Sequence, residues 1–172
     1  MSDQDEAKFR MIEYHKWKFK AKIFSPLAPL TVKRTPVLMT RVEYGFLGSY
    51  NKYKKSPFET FYMGGDGMSG YSSTYATETI GLRGYENGSI AGNGGYNSYG
   101  YAYSRLSMEL RYPFLLEPSS TIYGLVFVEA GNAWRDLKDF NPFQLKRSAG
   151  VGVRIFLPMI GLMGIDWAYG FD

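Results

Sequence analysis

Between residues 16 and 23, charged and apolar side chains alternate: Lys16, Lys18, Lys20 and Lys22 take one parity, and Trp17, Phe19, Ala21 and Ile23 the other. A helix, at 3.6 residues per turn, would scatter this pattern around its surface, whereas a strand sorts it onto two faces. The pattern predicts a strand over 14–26 with a cationic face and an apolar one. Five more segments read the same way. In 36–48, Leu38, Thr40, Val42, Tyr44 and Phe46 oppose Arg41 and Glu43. In 99–114, Leu106, Met108, Leu110 and Tyr112 oppose Arg105, Ser107, Glu109 and Arg111. Strands are also predicted over 121–135 and 146–157, where Ala149, Val151, Val153, Ile155 and Leu157 share a parity. The last spans 161–171, with Met163, Ile165, Trp167, Tyr169 and Phe171 opposite Leu162, Gly164, Asp166, Ala168 and Gly170. The stretch 49–98 is rich in Gly, Ser, Tyr, Asn and Thr, shows no helical period, and is predicted as a long loop.

Short proline-containing links join the first strand to the second, the third to the fourth and the fifth to the sixth, while the other two connections are long. Alternation of short turns and long loops is the pattern of a transmembrane β-barrel, and strands of this length suit a tilted crossing of a bilayer. A soluble barrel of the lipocalin type reverses the arrangement, with its apolar side chains inside. Trp17, Tyr44, Tyr112, Trp134, Trp167 and Tyr169, near segment ends or on the apolar face, favour lipid as the apolar medium. The longest near-apolar run, 155–165, is interrupted by Pro158 and is too short for a spanning helix.

Composition sharpens this reading. The 15 Tyr, 12 Phe and 20 Gly favour strands and turns over helices. The absence of cysteine excludes a disulfide framework and a thiolate metal site. A net charge of +4 is too modest to argue for nucleic acid as a partner. The opening residues "MSDQDEAKFR" carry no secretory signal pattern, so an exported protein would extend beyond the numbered residues.

The motifs in the long loop resemble those of the BamA/TamA superfamily of outer-membrane assembly proteins (the bacterial surface antigen barrel domain). Leu82, Arg83, Gly84 and Tyr85 match the family's Arg-Gly-aromatic signature, and Phe61, Gly64 and Gly65 match the aromatic-Gly-Gly stretch that precedes it. "MELRYPF" (108–114) is similar to the family strand carrying an inward glutamate, here Glu109. "VFVEAGNAW" (126–134) is similar to the next strand: Phe127 and Gly131 match, and Glu129 stands where many members have Asp. The lysine strand and abundant tyrosines look most like members from Bacteroidetes-type bacteria.

The resemblance implies an all-β fold: an antiparallel transmembrane β-barrel of which this chain supplies six strands out of about sixteen, with 49–98 folding inward. Residues 1–13 would be a surface-loop remnant and 14–172 a partial barrel, with the POTRA modules and remaining strands outside the numbered residues. It further implies a bacterial outer-membrane location and the folding and insertion of other barrel proteins. Client strands would pair with a barrel seam by β-augmentation, at strands not among these six. Implied partners are outer-membrane lipid, unfolded β-barrel clients and accessory assembly lipoproteins, with no nucleic acid. No cofactor, metal or enzymatic activity is expected. Alternatives are a two-partner-secretion or autotransporter-assembly translocator of the same superfamily and, more remotely, a porin or outer-membrane enzyme. A porin would not need the Arg-Gly-Tyr loop, and an enzyme should show a nucleophile and base.

For the site, the resemblance implies that Arg83 docks on Glu109 and Glu129, and a guanidinium in a protein-lined lumen needs such carboxylates. Gly84 would let the backbone turn close to the wall. Lys16, Lys18, Lys20 and Lys22 would form a cationic lumen face. Three other features carry less chemistry. Gly65–Gly70 has the spacing of a dinucleotide loop but no following helix. His15 has no nucleophile near it in sequence, and Asp136 with Asp139 offers too few ligands for calcium.

Overall fold

The computed structural model describes residues 13–29, 31, 34–50, 55–56, 59–67, 78–90, 99–117 and 119–172. Residues 1–12, 68–77 and the 91–98 end of the long loop, including part of the Gly65–Gly70 motif, are among those outside the described residues. The elements are β1 (Tyr14–Pro26), β2 (Val37–Ser49), β3 (Phe61–Met63), β4 (Glu78–Ile80), β5 (Ala102–Glu117), β6 (Ser120–Trp134), β7 (Lys146–Leu157) and β8 (Gly161–Gly170), with a short 3₁₀ turn at Leu137–Asp139. Six strands make one antiparallel sheet in the order β1-β2-β5-β6-β7-β8, which stays open, with β1 and β8 at its edges. These strands match the six alternating segments. The largest boundary difference is in β5, which starts at Ala102 and runs on to Glu117.

Proline explains a break in that hairpin. The β5–β6 register shifts between Pro113 and Leu115, where the ring nitrogen cannot donate to the ladder and a bulge absorbs the mismatch. The β7–β8 turn closes through Gly161 at φ +96°, a conformation that glycine adopts without steric cost.

The register aligns inward residues in rows across the sheet. One row runs Lys22, Arg41, Ser107, Glu129, Ser148, Gly170. Its neighbour runs Phe24, Met39, Glu109, Phe127, Gly150, Ala168. The opposite face is bare: Trp17 is 70% exposed, Ile165 82% and Trp167 69%. Bulky apolar side chains over a whole sheet face need an apolar medium. The polar face is the one that is covered, by the loop between β2 and β5.

The described part of that loop carries regular structure that its composition does not predict. It contains the short strands β3 and β4, paired in parallel, and Phe61 bridges to Gly100 beside the sheet. Phe61, Met63, Ile80, Leu82 and Ile90 of the loop pack against Leu47, Tyr103 and Ala133 of the wall to form the buried core. The inward face also carries apolar side chains, since Met39, Leu47, Leu125 and Phe127 are inward and buried. One expectation changes. Trp134 is not a lipid-facing girdle residue, because Phe140 caps it edge-on, with ring centroids 4.7 Å apart.

The faces can be separated in the intact barrel. Val153→Arg should cost about 2–4 kcal/mol if Val153 meets lipid near the midplane. A cysteine at position 20 should react readily with a membrane-impermeant thiol reagent that reaches the lumen, and one at position 153 should not. Equal labelling of the two would reverse or abolish the assigned faces.

Candidate functional site

The loop's two motifs hold each other. Gly64 donates its N–H to the Ile80 carbonyl at 3.0 Å and Gly65 to the Tyr85 carbonyl at 3.0 Å, and Gly65 bridges to Leu82. Gly64 and Gly65 have φ of +130° and +71°, and any Cβ at Gly64 would run into the Glu86 carbonyl. The aromatic-Gly-Gly stretch is thus the clasp that shapes the Leu82–Tyr85 turn.

Each residue of that turn meets the wall in its own way. Leu82 is fully buried. A Cβ on Gly131 would stand 3.0 Å from the Ser104 carbonyl and 3.3 Å from Met63 Cε, so Gly131 leaves room for Met63 of the loop. Gly84, at φ +92°, lies against the β7–β8 ladder: an added Cβ would be 2.9 Å from the Gly170 nitrogen and 3.1 Å from the Ser148 Cβ. Tyr85 donates its hydroxyl to the Arg147 carbonyl at 2.7 Å.

Arg83 reaches three strands. Its Nη2 donates to Glu109 Oε1 at 2.6 Å and to Glu129 Oε1 at 2.7 Å, its Nη1 to Asp166 Oδ2 at 3.1 Å, and its backbone N–H to Glu129 Oε2 at 2.9 Å. The guanidinium carbon lies 3.5 Å from the centroid of the Phe127 ring, a stacked cation–π contact. Phe127 has room to lie flat because Gly150, its ladder partner, has no side chain. Burial alone would lower the Arg83 pKa, but hydrogen bonds and charge from Glu129 and Glu109 outweigh it and raise the pKa above the ordinary arginine value. The cation is permanent.

Every carboxylate that Arg83 touches also has an arginine of its own on the wall. Arg111 donates to Glu109 Oε2 from Nε at 3.0 Å and Nη2 at 2.6 Å. Arg105 Nη2 donates to Glu129 Oε1 at 2.9 Å, joined by the Ser107 hydroxyl at 3.1 Å. Arg154 grips Asp166 with Nη1 at 2.5 Å and Nη2 at 2.6 Å. Removing Arg83 therefore leaves no bare carboxylate, since each keeps its wall arginine. Sequence reasoning singled out Arg83, Glu109 and Glu129 but left Asp166 out of the set, along with Arg105, Arg111 and Arg154. All four lie on the inward parity, which was the available signal. Which of them meet depends on the register.

The lysine strand meets the same loop on its other flank. Lys16 pairs with Glu59 at 2.8 Å and Glu78 at 3.2 Å, and Glu78 also takes Lys18 at 2.8 Å and Lys20 at 3.3 Å. Glu59 has φ +65°, strained for a residue with a side chain. Burial would raise the Glu78 pKa, but hydrogen bonds from Lys18 and Lys16 prevail and bring it down to about 2. Of the minor candidates, His15 packs on Tyr50 and Asp136 pairs with Lys55 at 2.8 Å.

The family model described as the Omp85 superfamily domain matches residues 9–172. No curated protein sequence matches the chain. Among solved structures, BamA from Haemophilus ducreyi lacking POTRA domains 1–3 aligns with a TM-score of 0.67 at 20% identity, over 93% of this chain and 32% of that one. At that identity the likeness is one of fold, and this chain spans about a third of that protein's resolved length.

Two outcomes follow for the intact barrel. Glu129→Ala should destabilise loop seating more than Arg83→Ala. The first leaves Arg105 only the longer Glu43 contact and an Arg83 N–H without its acceptor, whereas the second costs about 1–2 kcal/mol, near the low end for a charged hydrogen bond. The double variant should cost less than the sum, read by limited proteolysis within the loop and heat-modifiable gel mobility; strict additivity would separate the two residues. The Glu78 links should respond to acid. A depressed carboxylate contributes stability above its unfolded pKa near 4.5 and loses it as pH falls through about 2. Glu78→Gln should therefore be less heat-stable than wild type at pH 6 and converge with it near pH 2.

Proposed function

The chain belongs to the Omp85 superfamily, and from that premise we propose that it is part of the barrel of an insertase that folds and inserts β-barrel proteins. It is a six-stranded stretch of a BamA-like barrel in the bacterial outer membrane. The observation that carries the proposal is the loop latched inside the wall through Arg83. A barrel that must open elsewhere while keeping its shape gains from an internal loop held by a four-arginine, three-carboxylate network. Clamping β5, β6 and β8 to a common point makes this part of the wall stiff, so that a change of shape is displaced to other strands. In this reading the partners are unfolded barrel proteins and the accessory lipoproteins that deliver them, and the bilayer is met by the face carrying Trp17, Ile165 and Trp167. Residues 14–172 act as one stretch of wall with its internal loop. No step of the function is chemical, and the site binds and positions without turning over a substrate.

The full-length gene should restore the levels of folded outer-membrane proteins in cells depleted of their own insertase, with Arg83→Ala restoring less than wild type. Arg83→Lys should fall between, because an ammonium cannot hold the forked contacts. Normal outer-membrane protein levels without the gene, together with loss of one secreted protein from the medium, would instead assign a secretion translocator.

A further inference from the structure

Two inward cations stand outside the ion-pair network. Lys22 and Arg41 are direct neighbours across the β1–β2 ladder, and neither joins an ion pair among the described residues. The nearby wall carboxylates are taken: Glu43 has Arg105 at 3.9 Å, and Glu109 is shared by Arg83 and Arg111. Like charges directly opposite each other in an antiparallel pair are destabilising.

Beside them, toward the short-turn end of the sheet, Phe24, Val37, Pro113, Leu116, Tyr123 and Arg111 line a cleft of about 350 Å³. The two features are joined at Phe24. Lys22 Nζ lies 5.3 Å and the Arg111 guanidinium carbon 5.6 Å from the centroid of its ring, and Arg111 also lies 5.8 Å from that of Tyr123. The cleft is away from the loop's buried core, which covers Leu47, Tyr103 and Ala133 at the other end of the strands.

We propose that the Lys22–Arg41 pair and this cleft form one lumenal site for an extended acidic peptide segment. A carboxylate of the segment lies between Lys22 and Arg41, and the apolar side chain two residues along enters the cleft. The spacing follows from strand geometry, since side chains at i and i+2 share a face about 7 Å apart. A free phosphate would fill only the cationic end and leave Phe24, Val37, Pro113 and Leu116 uncovered, and the lumen side faces away from bilayer lipid. The site is independent of whether the whole barrel inserts proteins or secretes them, because either kind of polypeptide can reach the lumen.

The test uses the full-length protein in lipid nanodiscs and a dye-labelled peptide, Ser-Asp-Ser-Phe-Ser-Asp-Ser-Phe, read by fluorescence anisotropy. Replacing Asp by Asn, or Phe by Ser, should each weaken binding about tenfold, the size expected for a lost charged hydrogen bond or a lost buried ring. Lys22→Gln with Arg41→Gln should weaken the Asp peptide by about tenfold or more, while Lys22→Arg with Arg41→Lys, which keeps both charges, should bind nearly as wild type. The proposal is overturned if wild type does not bind the Asp peptide, or if the Asn peptide binds equally well. It also fails if the neutral double variant, with wild-type gel mobility, binds undiminished. Should that variant not fold, the Asp–Asn and Phe–Ser comparisons on wild type decide alone.

Discussion

The internal loop depends on one buried carboxylate. Glu129 is 2% exposed and accepts from the Arg83 backbone, the Arg83 guanidinium, the Arg105 guanidinium and the Ser107 hydroxyl. A carboxylate taken out of water costs several kcal/mol unless its lone pairs are filled. Here both oxygens are used, three of the four donors belong to arginines, and two of the four come from the loop itself. The loop is therefore part of what makes the buried charge tolerable, and the buried charge is part of what holds the loop. Contacts of that reciprocal kind give a definite seating position, in the way that satisfied polar networks specify one arrangement among many.

Glycine supplies the other half of the arrangement. The wall is stripped of side chains where the loop and the Arg83 platform need space: Gly131 under Met63, Gly150 beside the Phe127 ring, and Gly170 under Tyr85. Glycine within a strand weakens it in isolation. In this sheet the weakening is offset because the missing side chains are replaced by the loop's own. The loop then behaves less as a connection than as a second layer, with a small apolar core between it and the wall.

Much of this was legible in the sequence, and the limits fall at identifiable places. All six long strands follow from parity, because a sheet with lipid on one side and water on the other imposes period two along every strand. The sharpest boundary difference, in β5, arises where Pro113 interrupts the ladder without ending it. Arg83, Glu109 and Glu129 were found through motif resemblance, not through periodicity. Asp166 was placed on the correct face, but no pattern along the chain tells which inward residue of β8 will align with Gly152 and so come within reach of Arg83. β3 and β4 are three residues each, too short for a period to declare itself, and their pairing exists only because the sheet offers a surface to fold onto.

The three side-chain contacts of Arg83 lie 26, 46 and 83 residues further along the chain. Loop closure over such spans costs entropy that only a finished wall can repay. The arginine comes early in the chain and waits for β5, then β6, and finally β8, so its full set of partners exists only once the last of these strands is in register. A guanidinium that needs all three strands reports assembly: partial walls offer it fewer arms, and complete seating of the loop coincides with completion of the sheet beneath it.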